Sequence, residues 1–441
     1  MPKAIVIGGG LAGLAAAAAL GQAGFEVELY ESRSFLGGRA TSYPMAADGE
    51  ASETIDNCQH VLLRCCVNLM DFYRRLGVAD RIKFFKEVYF LEPGGRVSVL
   101  GAGRLPAPFH FTGSFWNLKC LSARDKFAIA RALLAIRHER KTRDDLNRIT
   151  IGEWLREKHQ PEQAIQRFWR QVLVSAVNEE LDRTAASYAF QVFWLGFLAG
   201  SNSYQMGVPS IPLGDLYSAG AWRRIGNVKF HYRMPVERIL VENGQVAGVV
   251  VQSERLSADY YVSALPFERV AALAPDLNLD ITGFEYSPIT GIHLWFDRSL
   301  TELSQATLLD RTIQWVFNKS GGRYLQLVVS ASRSLVEMSR ADVITLAVSE
   351  LAEFLPRASE AKLEKAHVVK EVRATFSPCP GVEELRPESA TKFSNFFLAG
   401  DWTRSGWPAT MEGAVRSGYL AAEAVTRSAG VAQKFLLSDI A

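Results

Sequence analysis

The chain predicts an α/β protein: a Rossmann-like dinucleotide-binding domain joined to a mixed α+β domain that includes a mostly helical segment. Three observations predict it. A strand, glycine turn, helix and second strand open the chain, and a strand and glycine-containing helix start close it. Between them lie a long helical stretch and a set of short alternating strands.

Lys3 to Ile7 reads as a short buried strand. Gly8-Gly9-Gly10-Leu11-Ala12-Gly13 then gives the G-x-G-x-x-G spacing, an Ala-rich helix runs to Ala23, and Gly24 stands where it would end. Phe25 to Tyr30 is the next strand, finishing on Glu31. Gly8 permits the tight turn, Gly10 lets backbone amides approach a pyrophosphate, and Gly13 lets helix and strand pack closely. The helix start, Leu11 and Ala12 included, turns its partial positive charge to the phosphates. Glu31 lies about twenty residues on, where an acid receives ribose hydroxyls. This fingerprint alone serves NAD or FAD. Gly37-Gly38-Arg39 separates them: a second glycine pair with an arginine suits a loop folded back over the same pyrophosphate, guanidinium to phosphate oxygen. With these residues the chain resembles the FAD-containing amine oxidase and phytoene desaturase superfamily, whose N-terminal signature ends in such a Gly-Gly-Arg.

Composition bounds the rest. At 441 residues with 48% hydrophobic side chains, the length suggests two or three domains with sizeable cores. The net charge of +2 offers no field for nucleic acid. Five cysteines make no Cys-x-x-Cys pair and no secreted framework, which suits a reducing cytoplasm, and no metal-ligand spacing stands out. The fold starts at Lys3, leaving no room for a signal peptide. The expected division is a discontinuous FAD-binding domain of residues 1–80, 210–275 and 380–430. Residues 81–209 and 276–379 form the substrate domain, first helical, then sheet.

In chain order, Thr54-Ile55-Asp56-Asn57-Cys58-Gln59-His60 follows a polar loop, a polar cluster placed to lie near the flavin ring, or else a helix cap by Asp56 or Asn57. Val61 to Leu76 has helical spacing and ends at Gly77, and residues 121–199 read as helical almost throughout. From Thr184 to Gly214 no residue is charged, and Tyr188 to Ala199 is dense in large apolar side chains. That run is too short to span a bilayer. It reads first as a buried helix and second as a tunnel wall or a surface dipping into one leaflet.

From Val228 the period becomes two. Val236–Val241 and Val246–Val251 flank a hairpin signal at Glu242-Asn243-Gly244-Gln245, and Asp259 to Leu265 is a third strand. This insertion before a Ser-Ala-Leu-Pro ending recurs in the superfamily just named, where the residue matching Val236 lies against the adenine. Ile292–Phe296, Thr312–Phe317 and Tyr324–Val329 suggest a second sheet, with Ala341–Leu355 as its covering helix. Asn395–Ala399 is the last strand, followed by Gly400-Asp401-Trp402-Thr403 and a helix from Thr410-Met411-Glu412-Gly413-Ala414 to Ala424. The resemblance places Asp401, with Gly400, at the ribityl-phosphate region, and Thr410 and Met411 at the isoalloxazine edge. Amine oxidases usually carry an aromatic where Thr410 stands, which counts against amines.

Ile55 to Leu63, Arg167-Phe168-Trp169 with Ala176-Val177-Asn178, and Gly400–Thr403 with Pro408–Gly418 are together similar to the hydroxysqualene dehydroxylase family. One departure is Cys58, where a glycine is usual. The resemblance implies reduction of hydroxysqualene to squalene in hopanoid and squalene biosynthesis. A C30 hydrocarbon needs a long, dry, apolar site and suits peripheral attachment to the inner membrane. Breaking an allylic C–O bond needs an acid near the flavin and two electrons from outside. His60 is a candidate acid or else a satisfied structural histidine, and NADPH or a reductase is the candidate donor. A carotenoid (phytoene-type) desaturase and a non-catalytic flavin-dependent lipid carrier are the competing readings.

Overall fold

The computed structural model describes residues 1–45 and 53–440, so the polar loop expected ahead of Thr54 lies outside the described residues. Segments far apart in sequence build one parallel sheet, ordered Val228–Tyr232, Glu26–Glu31, Lys3–Ile7, Tyr260–Ser263, Phe396–Leu398. In register, Ile7 faces Tyr30 and Ser263, and Ser263 faces Leu398. The strands therefore end together, and the turns at Gly8, Ala264 and Ala399 stand along one carboxyl edge. Ala4 to Val6 is fully buried, as a central parallel strand covered on both faces must be.

One face packs against helices Leu11–Gln22 and Met411–Ser428. They cross closely: a Cβ on Gly418 would lie 2.2 Å from the Ala12 carbonyl oxygen and 2.9 Å from Ala15 Cβ. The alanine run of the first helix is buried all round for this reason. On the other face Ile5, Ile7, Tyr261 and Phe396 meet Val249 and Val251.

Those two valines belong to a three-stranded antiparallel unit, Val236–Glu242, Gln245–Val251 and Glu254–Leu256, whose first turn runs through Asn243 and Gly244, both at positive φ. Its third strand corrects the sequence expectation. Glu-Arg-Leu is too short and charged to signal a strand, while the Asp259–Leu265 stretch joins the parallel sheet instead. Val228–Tyr232, read as the opening of alternation, is likewise a parallel strand.

The second sheet has seven strands, ordered Leu363–Phe376, Tyr286–Phe296, Tyr324–Ser330, Trp315–Ser320, Gln305–Leu308, Glu87–Leu91, Val97–Gly101. Helix Arg340–Phe354 covers one face through Val343, Ala347 and Leu351 against Ile292, Leu294 and Leu327. The opposite face, carrying Gly291, His293 and Trp295 at alternate positions, turns toward the loop at Cys58.

The helical part follows its expected bounds, with Ala123–Glu139, Ile151–Glu157, Arg170–Val177 and Ala186–Phe193, and five-residue wide turns at Ile165–Trp169 and Trp194–Leu198. Its centre is aromatic: Trp154 meets Phe190 at 5.0 Å and Trp169 meets Phe193 at 4.7 Å, edge to face. Tyr188, Phe190, Phe193 and Leu198 are buried, so Tyr188–Ala199 is core and not a leaflet rim. No helix among the described residues is long and apolar enough to cross a membrane. The helix expected from Val61 begins at Val67, because Leu62–Leu63 pairs as a strand with Met206–Gly207.

Candidate functional site

The site is built on the carboxyl edge of the parallel sheet, where ligands of open α/β sheets bind. Gly8 turns the chain at φ +104° while its N–H donates to the Tyr30 carbonyl at 2.8 Å. Gly13 packs so tightly that a Cβ there would sit 2.0 Å from the Gly8 carbonyl oxygen. Gly10 is the N-cap and brings no side chain to the helix start, so the leading amides of Leu11, Ala12 and Gly13 face outward uncapped. A Cβ built on Gly10 meets no protein atom within 4 Å.

The second glycine pair folds back as expected. Gly37 N–H donates to the Gly9 carbonyl at 2.8 Å, and Gly38, at φ +61°, lies over Gly10, its built Cβ 3.1 Å from Gly10 Cα. Glu31 is buried at the strand end. One carboxylate oxygen accepts from Gly9 N–H at 2.7 Å and the other from Arg33 N–H at 2.7 Å. Met234 N–H donates to the Glu31 carbonyl at 2.9 Å, which brings buried Val236 beside this corner. The donors, the clear approach at Gly10 and the strand-end acid fit a dinucleotide pyrophosphate and ribose.

The structure gives one expected residue a protein partner and corrects another reading. Arg39, expected on a phosphate oxygen, reaches across the edge: one guanidinium nitrogen donates to both Asp401 oxygens, at 2.8 and 2.9 Å, and another to the Ala374 carbonyl at 2.6 Å. The two halves of the sequence signature are thus tied to each other by an ion pair. Asp56 and Asn57 cap no helix. Asp56 ends strand Glu53–Asp56, accepts from Ser42 Oγ at 2.7 Å and Leu213 N–H at 3.0 Å, and pairs with Lys319 at 3.2 Å. Asn57 donates to the Arg39 carbonyl at 3.1 Å, so this loop joins the first sheet to the second.

Cys58 sits against Gly291 of the second sheet, where a Cβ would come within 3.5 Å of the sulfur. The facing glycine supplies the room that Cys58 takes up. Burial pushes its thiol up to about 12, so it stays protonated and unreactive. Around it gather Met206, Phe317 and Val328, with Val61 and Trp315 partly buried. His60 Nδ1 lies 2.9 Å from the Cys58 carbonyl, and burial lowers its pKa, which keeps the ring mostly neutral at pH 7. Nearby on the sheet, His293 Nδ1 is 2.7 Å from the Tyr324 hydroxyl and is pushed down to about 3 by burial.

Two organising groups carried no sequence signal. Arg386 is fully buried and donates to the Asp401 carbonyl at 3.1 Å, the Thr403 carbonyl at 2.5 and 3.0 Å, and Glu383 at 2.8 Å, which holds the Gly400–Thr403 turn. Thr410 caps the closing helix by accepting from Gly413 N–H at 3.0 Å, with Met411 the first helical residue. The other group, Glu412, turns inward and caps helix Val67–Leu76, accepting from Asn68 N–H at 3.1 Å and Leu69 N–H at 2.7 Å. Only the fold reveals these partners, over 340 residues away in sequence.

Burial pushes Glu412 up to about 7 despite those donors. A carboxyl raised on folding stabilises the fold below its unfolded value, about 4.3, and loses that contribution as pH climbs through its folded value. Urea unfolding of the holoprotein is expected to show stability falling between about pH 5 and about pH 7 by up to ~1.4 kcal/mol per unit. Glu412→Gln should flatten that slope. A parent curve already flat there would show that the helix N–H groups keep the carboxylate ionised.

With this geometry in place, the comparisons with known proteins are specific. The profile of a family described as flavin containing amine oxidoreductase matches residues 11–426. A zeta-carotene desaturase of Synechocystis is 26% identical over 491 aligned positions, covering 99% of this chain and 100% of that protein. A hydroxysqualene dehydroxylase of Zymomonas mobilis is 27% identical over 439 positions, covering 95% and 97%. Among solved structures, an oxidoreductase from Methanosarcina mazei superposes with a TM-score of 0.71 at 19% identity, covering 94% of this chain and 98% of that one.

Proposed function

The chain belongs to the flavin-containing amine oxidoreductase family, and from that premise we propose that it is an FAD-dependent enzyme reducing hydroxysqualene to squalene. The observation that carries the reading is collinearity. The dehydroxylase alignment takes 439 positions to cover 95% of the chain, whereas a phytoene desaturase takes 459 to cover 96% and the zeta-carotene desaturase 491 to cover 99%, so of the three the dehydroxylase needs the fewest insertions. The capping of the closing helix by Thr410 supports it further, since the hydroxyl is engaged where amine oxidases usually place an aromatic.

We assign FAD to residues 1–80, 210–275 and 380–430, and substrate to 81–209 and 276–379. The amides from Gly10 to Gly13, under Gly38, would hold the pyrophosphate; Glu31 the ribose; the backbone at Val236 the adenine. Gly400 and Asp401 would meet the ribityl phosphate end, and Thr410 and Met411 the ring edge. Arg39 takes the role of fixing Asp401 across the two halves. Bound in reduced form, FAD supplies the hydride. The protein's part is to bind a hydrocarbon beside Met206, Phe317 and Val328, exclude water, and place a proton on the departing hydroxyl. The balance is one C–O bond broken, one C–H bond formed, water released, and two electrons drawn from an external nicotinamide or reductase.

We place His60 at the hydroxyl. Its lowered pKa means that only a small protonated fraction donates, so turnover should quicken as pH falls from 8 toward 6. Chemically reduced holoprotein, held without oxygen, is expected to convert hydroxysqualene to squalene in one turnover and emerge oxidised. Oxidised protein should leave hydroxysqualene and phytoene untouched. His60→Ala should slow flavin reoxidation by substrate about 10²–10⁴-fold, the usual worth of a general acid. A normal rate removes His60 and leaves the reaction standing. Desaturated product from oxidised protein, with no squalene from reduced protein, would assign the desaturase alternative, and no turnover in either state the lipid carrier.

A further inference from the structure

We infer that the surface formed by residues 101–141 docks the protein onto an anionic lipid leaflet. Five large apolar side chains are exposed there: Leu105, Phe109, Trp116, Phe127 and Leu134, with Phe127 at 66% and Phe109 at 54%. Four of them lie on two packed helices, Thr112–Trp116 and Ala123–Glu139, and on the turn entering the first. Trp116 and Phe127 meet edge to face at 4.9 Å, and Lys126 Nζ donates to the Trp116 carbonyl at 2.7 Å. Phe109 sits in the turn entering helix Thr112–Trp116, and Thr112 N–H donates to its carbonyl at 3.0 Å. On helix Ala123–Glu139, Arg124, Phe127, Arg131 and Leu134 recur at spacings of three and four and are all exposed, so one face alternates cation and hydrocarbon.

Charge selects the partner. Between Gly101 and Lys141 the only carboxylates are Asp125 and Glu139. Asp125 is buried in a capping box with Ser122, and Glu139 receives Trp154 Nε1 at 2.7 Å and Lys158 at 2.6 Å. The outward charges are Arg104, Lys119, Arg124, Arg131 and Arg137. Aromatic and aliphatic side chains interspersed with arginine and lysine match the headgroup zone of an anionic bilayer, where rings sink in and cations stay with phosphate.

Behind the patch, partly buried Phe111, Phe115 and Phe197 pack on the helical core together with Val88, and Val88 also packs on the cluster of Cys58, Met206 and Phe317. Apolar side chains thus lead from the exposed face to the proposed substrate site. The inference rests on the isoprenoid reading for this link alone; the patch and its charge stand without it.

The test is vesicle sedimentation of the holoprotein without substrate, so its outcome is independent of turnover. The protein is expected to bind vesicles of equal parts phosphatidylglycerol and phosphatidylcholine, to release in high salt, and to ignore pure phosphatidylcholine. Phe109→Ser with Phe127→Ser, and separately Arg104→Glu with Arg124→Glu, should each lower the partition coefficient about tenfold or more. Val372→Ser with Val431→Ser, exposed elsewhere, should not. If the serine pair loosens the fold, the charge-reversal pair decides. Equal binding by patch variants and parent would overturn the assignment. So would absence of parent binding, or a parent dimer in sedimentation velocity that the serine pair dissolves, which would give the face to a second copy.

Discussion

Gly10→Ala is expected to leave the apoprotein as stable as the parent and to weaken FAD binding roughly 10- to 100-fold. The backbone at Gly10 has φ −76° and ψ 175°, which alanine adopts without strain, and the added Cβ meets no protein atom within 4 Å. The methyl stands over the amides that a pyrophosphate must approach. Losing one charge-assisted hydrogen bond there costs roughly 1.5–3 kcal/mol, which at ~1.4 kcal/mol per decade gives the stated range. Gly13→Ala makes the contrast. Its Cβ would lie 2.0 Å from the Gly8 carbonyl oxygen, so helix and strand must part, and apoprotein stability should fall along with FAD binding. Urea unfolding of both apoproteins, with FAD titration by flavin fluorescence, separates the two. Unchanged FAD affinity in Gly10→Ala would place the pyrophosphate elsewhere.

Arg386→Met is expected to cost roughly 2–6 kcal/mol of stability, since each of two buried carbonyls left without its donor costs about 1–3 kcal/mol. It strips donors from the Asp401 and Thr403 carbonyls and leaves Glu383 with Tyr188 as its remaining side-chain partner. Methionine keeps much of the volume, so the loss reports polar satisfaction and not a cavity. The Gly400–Thr403 turn should loosen as well, and FAD should dissociate faster from the variant than from the parent at equal temperature. A stability change below about 1 kcal/mol would mean that water takes over the carbonyls at little cost.

The dinucleotide corner was legible because it is local. Strand, glycine turn, helix and strand-end acid fall within Lys3 to Glu31, and each signal is a short-range one: a buried apolar run, φ at Gly8, close packing at Gly13. The loop Gly37–Arg39 was legible in its path but not in its partner, since the guanidinium finds its carboxylate 362 positions away. The edge strand Leu363–Phe376 was missed because it carries charges at several positions and needs only one covered side. The uncharged stretch from Thr184 suits a core first and a leaflet second, and sequence leaves both open because hydropathy measures water avoidance and not what replaces the water.

By itself, the sequence pointed to the cofactor class and to the two ends of the chain expected to receive it, and it determined the helical character of residues 121–199, all through short-range patterns. Tertiary structure alone decided that Arg39 meets Asp401, that Arg386 and Glu412 are buried organisers, that Gly291 makes room for Cys58, and that the exposed apolar face lies at Leu105–Leu134. The physical reason is common to all four. Burial and partnership of a side chain depend on which distant surface packs against it, and that information is distributed over the whole chain.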